Sequence, residues 1–342
     1  MTGKPDGQHA AAESGQGEEA NSLVRGTGHG KKNQATGTFR DRLASGQFAV
    51  TAEIGPPRGA DLGPVAEKAA GLRGWVDAVN ITDNQSAAVR LSSLGGSLAA
   101  ESAGVEPIMQ LTCRDRNRIA LQSELLSASA LGIRNVLIMT GDHPRQGDHA
   151  DATPVFDLDS SQLLQVATAM RDQGTLMSGG VLKPPPSWLL GAVENPPGMP
   201  QADGATGAAA AVRRLEAKIN AGAQFVQTQF VFDVPVFAMW VQQLQDLGLT
   251  ERCHILAGVG PVRSARALAH LARIPGVYIP DYVRQRLTAA GPEHIRSEGE
   301  RLCSELIAAL AEVPGVAGVH VMAIGAEHAI PAILQRAGLP AR

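Results

Sequence analysis

The chain has 342 residues, 44% hydrophobic and 18% charged, with a formal net charge of −3. That is ample for a buried core, and the charge gives no electrostatic case for a nucleic-acid partner. Three scattered cysteines, Cys113, Cys253 and Cys303, form no CxxC and exclude a complete disulfide framework, as expected in a reducing compartment. No apolar run approaches the roughly 18 residues of a membrane span, and the first residues lack the apolar stretch of a secretory signal. The expectation is a cytoplasmic protein with no membrane partner.

Residues 1–37 are rich in Gly, Ser, Gln, Glu and Ala and are expected to be a disordered tail. A single domain is expected over 38–342. A short helix opens it at TFRDRLASGQ, with Thr38 as N-cap. Strands are expected at 48–55, 78–84, 106–113, 135–141, 188–195, 225–232, 254–261 and 318–325. Helical spacing falls between them, in LGPVAEKAAGLRG, NRIALQSELLSASALG, SSQLLQVATAMRDQG, AAAAVRRLEAKINAGA, PVFAMWVQQLQDLG and SARALAHLARI. Gly132 and Gly222 end two of them in the left-handed position. Eight strands that each lead into a helix predict an α/β fold, a (β/α)8 TIM barrel closed by AIPAILQRAGL. Near-continuous apolar strands suit a sheet covered on both faces. An open doubly wound sheet is the competing architecture. Stretches 142–187 and 280–317 are longer than a barrel needs.

Barrel enzymes carry function at strand C-termini. Glu53 interrupts the apolar run FAVTAEIG and precedes two prolines. Apolar surroundings favour a neutral carboxyl, so Glu53 is read as a general acid, against the plainer alternative of a pair with Arg58. Asp142 follows NVLIMTG directly and would stand at the mouth, unless it only caps a turn. In FVQTQFVF, alternation puts Gln227 and Gln229 on one face and Thr228 and Phe230 on the other. The two amides suit an amide-rich heterocycle, or else form a satisfied polar layer. GDHPRQGDHADA matches no standard metal-ligand spacing, so no metal is assigned. GVGPVR is not a dinucleotide fingerprint, and Walker A, HExxH and GxSxG motifs are absent. Cys113 is read as packing.

Together TAEIGPPRG, LGIRNVLIMTGDHP, RRLEAKINAGAQFVQTQFVFD and ILAGVGPVRS resemble the methylenetetrahydrofolate reductase family over about 38–340. The ending GVHVMAIGAEHAIPAILQRAGL resembles a branch found with corrinoid-linked one-carbon metabolism. The resemblance implies a barrel with FAD at the strand C-termini. It also implies reduction of 5,10-methylenetetrahydrofolate to 5-methyltetrahydrofolate, with NADH or NADPH as electron donor. Glu53 matches the family's general acid, Asp142 the carboxylate between flavin and pterin, and Gln229 a folate-binding amide, with Gln227 beside it. Thr82, Gly141, Asp142 and Lys218 match flavin contacts, and Glu194 and Asn195 are taken with them. Gln110 stands where the biosynthetic branch has His, and Thr140, Ala192 and Ala217 where it has Arg, Tyr and Arg. Losing two cations weakens pyrophosphate neutralisation, which Arg214 (or Arg213) is placed to restore.

Two other readings stay open. One is a barrel methyltransferase that binds a methylated pterin without flavin. The other is a folate reductase subunit fed by an electron-transfer partner protein. A homo-oligomer is left open in each case.

Overall fold

The computed structural model describes residues 37–196, 208–274 and 276–342, so the expected tail lies outside the described residues. Eight parallel strands close into one barrel in sequence order. They are β1 (Ala49–Ile54), β2 (Ala78–Ile81), β3 (Pro107–Thr112), β4 (Asn135–Met139), β5 (Leu189–Glu194), β6 (Phe225–Phe230), β7 (His254–Val259) and β8 (Val316–Val321). The eighth begins two residues before the expected 318 and ends well short of 325, because a strand opening on Val-Ala-Gly has little apolar signal.

Helix α1 (Phe39–Ala44) opens the domain, and Thr38 caps it in a full capping box with Asp41. Each following connection carries a helix on the outside. These are α2 (Gly63–Leu72), α3 (Ser93–Ser102), α4 (Arg118–Ala130), α5 (Ser160–Asp172), α6 (Ala208–Asn220), α7 (Val234–Asp246) and α8 (Ala265–Leu271). The long stretch before β8 holds two more, α9 (Asp281–Ala289) and the 21-residue α10 (Gly291–Ala311), and α11 (Ile330–Arg336) closes the chain. Gly132 and Gly222 take φ of +90° and +112° after α4 and α6, as their spacing predicts.

Strand alternation divides the core in two. Val50, Ala52, Ile54, Val79, Ile81, Met109, Leu111, Val136 and Ile138 point outward and pack under the helices. Ala49, Ala78, Ile108, Leu137, Leu189, Phe225 and Leu256 point inward, and α1 plugs the barrel floor onto them with Phe39 and Leu43. Phe39 meets Phe225 edge-on at 5.4 Å between ring centres. Burying a side chain of that size stabilises by about 1.5–3 kcal/mol. Among the described residues the floor is thereby closed, and the barrel opens toward the strand C-termini.

Candidate active site

That open end is a cavity of about 800 Å³. Every side chain proposed from sequence lines it except Arg214: Glu53, Thr82, Gln110, Thr140, Gly141, Asp142, Glu194, Asn195, Lys218, Gln227 and Gln229. Sequence reading missed others, among them His320 and Met322. A lone polar residue in an apolar strand gives no periodic signal, so only barrel closure brings these to one place.

Above the apolar floor lies a buried polar layer. Asn80 and Gln227 exchange two amide hydrogen bonds, of 2.6 and 3.0 Å, across the barrel. Gln227 also donates to Thr51 Oγ1 at 3.1 Å, and Thr51 Oγ1 lies 3.0 Å from His320 Nδ1. His320 Nε2 in turn faces Glu53 Oε2 at 3.7 Å. Gln110 Nε2 donates to the same oxygen at 3.1 Å. Glu53 is therefore set in polar contacts, not the apolar surroundings its sequence neighbours suggest, because Ala52 and Ile54 point outward. Arg58 does not pair with it; that cation lies 3.3 Å from Asp148.

Gln227 sits deeper than a substrate-binding role at the mouth implies, with its amide already engaged on both sides. Gln229 is nearer the opening, where its Oε1 accepts from the backbone N–H of Phe230 at 3.1 Å. The expected separation of faces in β6 fails here. Pairing with β7 slips between Gln227 and Phe230, and Thr228 Oγ1 accepts from the Gly258 N–H at 2.9 Å. This irregularity turns Thr228 and Phe230 into the cavity as well.

Asp142 is exposed on the rim, and among the described residues no hydrogen bond or ion pair engages its carboxylate. Gly141 before it has φ +88°, and a Cβ there would lie 2.9 Å from Thr112 Cβ, so both backbone and space require glycine. The loop after β2 is strained. Asn84, Ser86 and Ala87 all have φ near +50°, at φ 48, 56 and 53, which costs about 1–3 kcal/mol for each non-glycine residue. The loop after β4 clasps it. Asp148 accepts from the Val89 N–H through both oxygens at 3.2 Å, and Gly147 passes so close that a Cβ would sit 1.9 Å from the Ala87 carbonyl oxygen. The acidic and histidine-rich stretch is thus a structural latch: His143 Nδ1 accepts from the Arg145 N–H at 3.2 Å.

One further group bears on anions. Lys218 Nζ donates to Glu194 Oε2 at 2.7 Å and to the Val193 carbonyl at 2.6 Å, while Arg214 Nε donates to Glu194 Oε1 at 3.0 Å. Arg214 Nη2 lies equally near Oε1 yet makes no hydrogen bond, and it is buried. Two cations on one carboxylate leave a net positive charge, with the Arg214 Nη2 donor buried outside the cavity. That set fits a diphosphate, although Glu194 weakens it. Ala192 is buried toward the helices and Ala217 is exposed, so neither lines the cavity. Thr140 Oγ1 donates to Ser160 Oγ at 3.1 Å. Cys113, Cys253 and Cys303 are buried, and burial pushes each thiol up to about 12. None is a ready nucleophile.

Fold and cavity together define a (β/α)8 barrel with a polar cavity at the C-terminal ends of its strands. The sequence pattern of methylenetetrahydrofolate reductase matches residues 38–338, and the chain belongs to that family. It is 25% identical to a probable methylenetetrahydrofolate reductase (NADPH) of Caenorhabditis elegans, over 72% of this chain and 34% of the worm protein. Methylenetetrahydrofolate reductase 1 of Schizosaccharomyces pombe is also 25% identical, over 69% of this chain and 36% of the yeast protein. The chain thus spans about a third of the length of these relatives. A bacterial 5,10-methylenetetrahydrofolate reductase, from Pectobacterium carotovorum, is 24% identical over 70% of this chain and 72% of its own. A solved Clostridium thermocellum protein, described as uncharacterized and binding two copies of 5-methyl-5,6,7,8-tetrahydrofolic acid, is alike in fold. Its TM-score is 0.58 at 15% identity, covering 86% of this chain and 97% of that one. Among the described residues no helix is long and apolar enough to cross a membrane.

Proposed function

We propose that this chain interconverts 5,10-methylenetetrahydrofolate and 5-methyltetrahydrofolate as an FAD-dependent reductase, with NADH or NADPH as electron donor. The observation that carries it is the convergence of Glu53, Asp142 and Gln229 on one cavity, in a chain whose family name states the reaction. When bound, FAD supplies the hydride. Lys218 would hold its diphosphate, Arg214 would add positive charge from behind Glu194 without lining the cavity, and Thr82, Gln110, Thr140, Gly141, Glu194 and Asn195 would border it.

The protein's own groups do the rest. Glu53 gives a proton to the amine released as the five-membered ring of the folate opens. Asp142, a rim carboxylate among polar neighbours, stabilises the cation that this opening creates. Gln229, with its amide N–H groups uncommitted among the described residues, orients the pterin through a donor and an acceptor. The apolar floor and α1 keep water from entering behind the substrate.

A second reading has one observation in its favour. Glu194 already pairs with both Lys218 and Arg214, which lowers the charge available to a diphosphate. A pterin-binding methyltransferase, or a reductase subunit fed by an electron-transfer protein, would need no strong flavin site. The test is anaerobic incubation with 5,10-methylenetetrahydrofolate, FAD and NADH or NADPH, with product separated by chromatography. FAD-dependent 5-methyltetrahydrofolate is the expected result. Product formed only with an artificial reductant would favour the partner-fed subunit. Methyl transfer from 5-methyltetrahydrofolate to a thiol or a corrinoid without FAD would favour the methyltransferase.

A further inference from the structure

Strands β1 and β8 pair with Thr51 opposite His320. Both side chains point into the barrel, and His320 is only 3% exposed. Thr51 Oγ1 accepts from Gln227, and its single proton has two acceptors in range. These are the Val319 carbonyl at 3.4 Å and His320 Nδ1 at 3.0 Å, and the ring nitrogen is the better placed. In the tautomer in which Nδ1 accepts this proton, Nε2 carries the ring hydrogen. That is the atom directed at Glu53 Oε2. At 3.7 Å the contact is electrostatic, not a hydrogen bond.

Oε2 is thus held from two sides, by Gln110 and by His320. Oε1 has no partner among the described residues. Of the other charges of the cavity, Asp83 pairs with Arg116, Arg114 with Asp115, and Glu194 with Lys218 and Arg214, while Asp142 and Arg263 have no ion-pair partner among the described residues. Among the described residues, His320 is the one basic side chain within 4.0 Å of the Glu53 carboxylate.

We propose that His320 is a positioning residue for Glu53: with Gln110 it fixes Oε2 against the barrel wall, leaving Oε1 to exchange the proton with substrate. The chain Asn80–Gln227–Thr51 fixes the ring in turn, so the acid is aimed by residues from four other strands as well as its own. This inference rests on the role given to Glu53 above.

The test is a double-mutant cycle on folate turnover with His320→Leu and Glu53→Asp, which withdraws the carboxyl by one methylene. His320→Leu alone should lower kcat about tenfold to a hundredfold, as misplacement of a reacting group does, with KM for folate little changed. In the Glu53→Asp background it should add less than about twofold, because the acid it aims is already out of place. Effects that multiply in full would overturn the inference and make His320 a merely structural part of the polar layer. If His320→Leu does not fold, Thr51→Val removes the hydroxyl that orients the ring and should show the same non-additivity. A wild-type protein that turns over no folate with any donor overturns the function itself, and the inference with it. Wild-type turnover with a multiplicative cycle overturns the inference alone.

Discussion

Gln110 on β3 donates to Glu53 on β1 across 3.1 Å, spanning the intervening strand β2. The contact ties the candidate acid to a residue that, by resemblance, occupies a flavin-contact position. In the proposed function, proton delivery and cofactor placement would therefore meet at one carboxyl group.

Replacing Glu53 by Gln removes the proton but keeps the shape and the contact with Gln110. Folate turnover should fall at least about a hundredfold, the usual loss for a general acid. Reduction of bound FAD by NADH or NADPH needs no proton from Glu53 and should stay within a few-fold of wild type. Stopped-flow measurement of the two half-reactions separates them, and equal losses in both would remove Glu53 as the acid.

Asp142→Asn takes a negative charge from the rim beside the proposed flavin position. A negative charge disfavours added electrons, so the variant's two-electron potential should rise, by roughly 30 mV for a tenfold change in equilibrium. Folate turnover should weaken as well. Potentiometric titration of both proteins with bound FAD decides it, and an unchanged potential would place Asp142 away from the flavin.

The floor plug gives a stability prediction. Phe39 is fully buried against Phe225, so Phe39→Ala should cost about 3–5 kcal/mol in urea unfolding. Affinity for FAD and folate should hold, since the plug lies at the end of the barrel opposite the cavity. A loss below about 1 kcal/mol would mean that the floor repacks around the gap.

Burial holds the thiols of Cys113, Cys253 and Cys303 up at about 12. None should react with a thiol reagent at pH 8 while the protein is folded, and all should react in denaturant. One fast-reacting cysteine in the native protein would contradict the packing role given to it.

The barrel was readable because parallel strands covered on both faces make short apolar runs, and these recur eight times with helices between. The mouth was readable where polarity follows such a run at once, as at Asp142 after NVLIMTG and at Glu194 after LLGAV. What a run cannot show is depth. Gln227 and Gln229 look equivalent in sequence, yet register puts the first in the polar layer against Asn80 and the second near the opening. His320 and Thr51 meet only because β8 closes onto β1, more than 260 residues away. Arg214 was placed on the right helix, but its pairing with Glu194 depends on how α6 packs over β5.

The most direct test of the central claim is a visible spectrum of the purified protein with added FAD, followed by anaerobic addition of 5-methyltetrahydrofolate. The account predicts stoichiometric flavin binding and bleaching of the flavin band by the methylated folate. A protein that binds 5-methyltetrahydrofolate but neither retains FAD nor passes electrons to it would contradict the account.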